Sequence, residues 1–122
     1  MSVIEVGGHY LCAGVLGYDP VRLWVGHIDR IEGAGDVASV TLKGDGAGLR
    51  SLPHLAFQMA ALLASAPEPV DGFPKNAAAF DAAYAAWREA LASGTADTMT
   101  ISPSEAYGRA VDKISEGARH DF

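Results

Sequence analysis

The sequence predicts an α+β fold: an antiparallel β-meander in the N-terminal half, three helices packed on it, and one short additional strand before the last helix. Two observations carry this prediction. Before Leu52, apolar and polar residues alternate in runs punctuated by glycine, the period of strands; after it, apolar residues recur every three or four positions among alanines, the period of helices. Tyr10–Leu16, Val21–Glu32 and Val37–Lys43 read as strands, Pro53–Ser65, Asn76–Ser93 and Pro103–Glu116 as helices, and Thr98–Ser102 as the late strand.

Gly17-Tyr18-Asp19-Pro20 joins the first two strands, since proline fixes φ and glycine accepts positive φ in a tight turn. Val21, Leu23 and Val25 alternate with Arg22 and Trp24, and that face continues through His27, Asp29 and Ile31 unless Gly26 marks a bulge and resets the phase. Glu32-Gly33-Ala34-Gly35-Asp36 is a second hairpin loop leading to Ala38, Val40 and Leu42 on one face. Val3–Val6 is a further short strand turning at Gly7-Gly8.

Leu52, Leu55, Met59, Leu62 and Leu63 fall at the spacing of one helix face, with Pro53 suited to a first turn. Three prolines in Ala66–Pro74 stop that helix and extend the chain. Phe80, Tyr84, Trp87 and Leu91 stripe the second helix, whose C-terminal cap is Gly94. Ser102-Pro103-Ser104-Glu105 matches a capping box opening the third, with Tyr107, Ala110, Val111 and Ile114 inward and Gly117 as its end. Residues 1–122 read as one α+β domain with 118–122 a flexible tail, covered mainly on one sheet face by the helices. Its expected core is Leu23, Val25, Val40, Leu55, Met59, Leu62, Phe80, Tyr84, Trp87 and Ile114.

Composition narrows the function classes. With 9 Lys+Arg against 15 Asp+Glu, the net charge of −6 and the absence of a basic cluster disfavour nucleic acid, whose phosphates require a cationic surface. No stretch reaches membrane-spanning length and Met1–Glu5 lacks the pattern of a signal peptide, so a cytoplasmic protein without a membrane partner is expected. Cys12 is the single cysteine, which rules out an internal disulfide and fits a small buried core side chain.

Three groups of residues carry chemistry. His27 and Asp29, two apart on a strand, share a face, so a carboxylate there can orient an imidazole for general-base work. They would also make half of a metal site, with His9, Cys12 or Asp19 as additions. A third ligand and a nucleophile are missing, so a solvated strand end is the simpler reading and no metal is expected.

Gly44-Asp45-Gly46-Ala47-Gly48 lies between a strand and a helix, with Gly46, Gly48 and Arg50 as candidates to bind a phosphate cofactor. The spacing is neither the dinucleotide fingerprint nor a P-loop and Asp45 repels anions, so a loop without a cofactor is expected. Phe80, Tyr84 and Trp87 would line a ligand pocket or a peptide groove, but a helical aromatic stripe ordinarily faces a core. Ser51, Ser102 and Ser104 lack the setting of a nucleophile and read as capping residues.

The reading that follows is a small, non-enzymatic protein-binding module with a protein partner. In texture, though in no particular motif, it resembles small bacterial immunity or inhibitor proteins. The alternative is a small-molecule-binding protein or minor enzyme using His27 and Asp29 in a pocket between sheet and helices. Open sheet edges and alanine-rich helix faces also point to a homodimer.

Overall fold

A computed structural model describes residues 4–15, 17–44, 51–72 and 76–119. Its meander consists of β1 (His9–Cys12), β2 (Val21–Ile31), β3 (Gly35–Gly44) and β4 (Ser51–Gln58), each antiparallel to the one before. Helix α1 (Met59–Ala64) follows directly, then β5 (Glu68–Pro69), α2 (Ala77–Ala92) and α3 (Pro103–Arg119). The sheet order is β4-β3-β2-β1-β5. The fold is α+β with an N-terminal meander, as the patterning predicts, and no described helix is long and apolar enough to cross a membrane.

Alternation sorts the sheet residues onto two faces. Val21, Leu23 and Val25 of β2, Ala38, Val40 and Leu42 of β3, and Phe57 of β4 build the main core. Tyr10 and Cys12 of β1 extend it along the same sheet face, in register with Leu23 and Val21, and Leu62 of α1 with Ala106 and Tyr107 of α3 pack over it. Helix α3 is seated by the Ser104 hydroxyl, which donates to the Asp19 carbonyl at 2.6 Å. The Tyr18 ring lies where a side chain on Gly108 would sit, so glycine permits this approach.

The helices are divided between the two faces, which corrects the expectation that they cover mainly one. Helix α2 packs on the opposite face, where Phe80 is buried against Trp24 with ring centroids 5.0 Å apart. Its ends follow the sequence signals: the Asn76 side chain accepts from the Ala79 N–H, and Gly94 takes φ +79° just past Ser93.

The helix expected over 53–65 is mostly strand. Residues 51–58 extend along β3, and only Met59–Ala64 is helical. A bulge explains the misleading pattern: Leu42 faces Leu52 and Val40 faces Leu55, so β4 fits an extra residue there and Leu52, Leu55 and Phe57 all reach the core. Helix-like spacing arose from an irregular strand. Pairing β3 on both edges outweighed local propensity, and Pro53 is accommodated at the bulge on the outer strand.

Residues 98–102 contribute a single bridge, not a full strand. Met99 lies parallel to Phe57, donating to the Ala56 carbonyl at 2.7 Å and accepting from the Gln58 N–H at 2.9 Å. Residues 4–6 form no strand, although Gly7 makes the expected turn at φ +88°. Helix α3 continues past Gly117, so 118 and 119 are helical.

Of the expected core, Leu23, Val25, Val40, Leu62 and Phe80 are buried, Leu55 and Met59 pack partly buried against the core, and Tyr84 and Trp87 are half-buried. Ile114 lies outside the described side chains.

Candidate functional site

The notable cluster lies between α2 and the second sheet face, and a bulge in β2 creates it. The β2–β3 register shifts between Val25 and His27, so Gly26 is the extra residue. The shift keeps Val25 and Ile28 on the core side and turns His27 and Asp29 toward α2. Gly26 also makes room: a methyl group there would overlap the Phe80 ring.

Helical spacing brings Phe80, Tyr84, Trp87 and Arg88 along one side of α2. The His27 ring stacks on Tyr84 at 4.1 Å with an 11° interplanar angle and lies 5.9 Å from Phe80. His54, delivered by β4, has Phe80, Tyr84 and Trp87 at 5.7, 6.0 and 5.7 Å. Its Nε2 is 3.0 Å from the Ser39 hydroxyl of β3.

Asp29 organises the far side of the cluster. Its Oδ2 accepts from the Tyr84 hydroxyl at 2.8 Å, and its Oδ1 pairs with Arg88 Nη1 at 3.4 Å. The Trp87 indole N–H donates to the Asp97 carbonyl at 3.0 Å, fixing that ring from the connector after α2. The structure thus brings His27 and Asp29 together around Tyr84, with the carboxylate holding a phenol and a guanidinium instead of orienting the imidazole.

Electrostatics follow from these partners. Burial, and secondarily the neighbouring His27, lower the His54 pKa, so its ring favours the neutral form. Burial raises the Tyr84 pKa, and the hydrogen bond from its hydroxyl to Asp29 raises it further, so the phenol stays a donor. In the main core, burial raises the Cys12 thiol above its ordinary value despite a bond with Ser65, which makes it a poor nucleophile.

The proposed additions to a metal site are dispersed. His9 sits opposite Trp24 on β1, Cys12 is buried in the main core, and Asp19 is exposed before β2. Among the described residues no group of three His, Cys, Asp or Glu is placed to hold a metal ion. Gly46, Gly48 and Arg50 lie outside the described residues. Of the serines, Ser102 accepts from the Glu105 N–H at 3.1 Å, as a cap should, while Glu105 pairs forward with Arg109 at 2.9 Å.

Two open grooves lie elsewhere. One of about 570 Å³ is lined by Arg22, Pro69, Val70 and Asp71, and one of about 370 Å³ by Leu63, Ala66, Pro67 and Glu68. Neither includes His27 or Asp29.

Sequence reasoning missed His54, Ser39 and Arg88. His54 was hidden by the helical reading of its segment, in which Pro53 passed for a first-turn residue. Arg88 was readable, being four residues from Tyr84 on the same helix side. Comparison with family models, with curated proteins and with solved structures finds no match to this chain.

Proposed function

We propose that the chain is a non-enzymatic, cytoplasmic protein-binding module whose partner docks on the strip formed by His27, His54, Tyr84 and Trp87, rimmed by Arg88 and Asp29. The observation that carries this reading is an ordered aromatic strip left half-exposed between helix and sheet. Aromatic rings and arginine are the groups that dominate binding at protein interfaces. Here the Asp29 and Asp97 bonds already hold Tyr84 and Trp87, which reduces the ordering cost on association. The net charge of −6 favours a basic partner, in keeping with an inhibitor- or immunity-like role.

The small-molecule alternative has less support, because Phe80 fills the space beneath α2 and Asp29 is already engaged by Tyr84 and Arg88. A second copy of the chain is the other partner this surface would accept. Edge-to-edge pairing is the weaker route to such a homodimer: β5 has two residues, one of them Pro69, and Met99 covers β4 at Phe57.

The test compares capture from the native cytoplasm by wild-type protein, by Trp87→Ser and by Leu63→Ser, an exposed apolar residue of α1. The reading expects one stoichiometric partner, lost with Trp87→Ser and kept with Leu63→Ser. Retention by a folded Trp87→Ser variant would overturn it. Light scattering identifies the self-association case by a mass of twice the 12.7 kDa chain.

A further inference from the structure

Helix α2 is held to its sheet face in an unequal way. Phe80, near its N-terminus, is its one buried residue. Residues 84–92 contain none, and their attachment is the ring cluster with the Asp29 and Asp97 bonds. Two imidazoles stand within that attachment.

His27 comes from β2 and His54 from β4, and between them runs β3, where Ser39 faces His27 in register and bonds His54 Nε2. Both imidazoles pack on one tyrosine, with centroids 4.1 and 6.0 Å from that of Tyr84. The other charged or titratable groups at this contact are Asp29 on β2, Tyr84 and Arg88 on α2, and Asp97 in the following connector, whose carbonyl receives Trp87. On β3 the facing group is the neutral Ser39. Asp29 already serves Tyr84 and Arg88, so two added protons would meet one shared carboxylate.

We infer that this contact is an acid-sensitive latch: protonation of His27 and His54 loosens residues 84–92 of α2 from the sheet while β2 and β3 remain paired. Two effects act in the same direction. The half-buried His54 imidazolium loses hydration, and two like charges packed on the same tyrosine repel. Attraction between a cation and the Tyr84 face favours one charged ring, but it does not cancel the repulsion added by a second. The main core beneath β2 and β3 is built from apolar side chains and takes no part. Burial's lowering of the His54 pKa places this response on the acid side of neutrality. The device belongs to the α2–sheet contact and operates without any partner.

Hydrogen exchange read by mass spectrometry tests it, comparing peptides from α2 with peptides from β2 and β3 after correction for intrinsic exchange rates. Between about pH 7.5 and about pH 5.5, protection of residues 84–92 should fall by at least about fivefold, with β2 and β3 changing by less than about twofold. His54→Gln should remove most of that fall, and His27→Gln should diminish it; should one variant fail to fold, the other decides. Constant protection of residues 84–92 in the wild type, a parallel loss in β2 and β3, or an undiminished fall in a folded variant would overturn the latch.

Discussion

The Tyr84 hydroxyl donates to the Asp29 carboxylate at 2.8 Å, joining α2 to β2 between residues 55 apart in sequence. Because this bond is partly buried and its acceptor is charged, Tyr84→Phe should destabilise the fold by about 0.5–1.5 kcal/mol. Combining Tyr84→Phe with Asp29→Ala should cost less than the sum of the single changes, because each removes the same bond. Urea unfolding of the four proteins measures the coupling. Strict additivity would show that the bond contributes nothing.

Gly26 and Phe80 occupy one space. Gly26→Ala drives a methyl group into a ring that is 1% exposed and has nowhere to move, so a loss of about 1–3 kcal/mol is expected from overpacking. Phe80→Ala should cost about 3–5 kcal/mol, and in that background Gly26→Ala should become nearly neutral. Trp87→Ala, at a half-buried site, should cost less than Phe80→Ala, on the order of 1–3 kcal/mol. Thermal unfolding reports all four.

The two serines at the start of α3 should matter to similar extents for different reasons. Ser102→Ala removes the acceptor for the Glu105 N–H and should cost about 0.5–2 kcal/mol. From the sequence, Ser104 would be expected to matter much less. It is instead buried and donates to the Asp19 carbonyl at 2.6 Å, so Ser104→Ala should cost about 1–3 kcal/mol through an unsatisfied acceptor. Denaturant titration of both variants checks this, and a neutral Ser104→Ala would count against the α3 anchor.

Stability should decline on mild acidification, and His54 sets the sign. A histidine whose folded-state pKa is lowered binds its proton more readily when unfolded. Its contribution is therefore complete above the ordinary value of 6.5 and is lost as pH falls from there toward the folded-state value. His54→Gln should flatten this part of the curve of unfolding free energy against pH. An equally steep decline in His54→Gln would assign the effect to other groups.

The sequence made the meander legible because residues 21–25 and 38–42 alternate and because Gly33 and Gly35, at φ +86° and +77°, mark the hairpin between the two strands. It misrepresented residues 52–58 because one bulged residue gives a strand the three-residue spacing of a helix, and only pairing with β3, outside that segment, selects between the two. His27 and Asp29 were recognisable as sharing a face, but their face depended on the bulge at Gly26. Their neighbour His54 depended on β4, so the full cluster required tertiary pairing that local pattern does not encode. The stripe Phe80, Tyr84 and Trp87 was visible; its partial exposure was not, since periodicity shows which residues share a side and not how fully that side is covered.

The half-exposed strip along α2 is the proposed docking surface. A photo-crosslinking residue at Arg88, whose side chain is 50% exposed beside Tyr84, tests this in cells of the native host, with the same residue at the exposed Glu68 as control. One discrete adduct from position 88, absent from position 68, is the predicted result. Adducts from position 68 alone, or equal labelling at both positions, would contradict it.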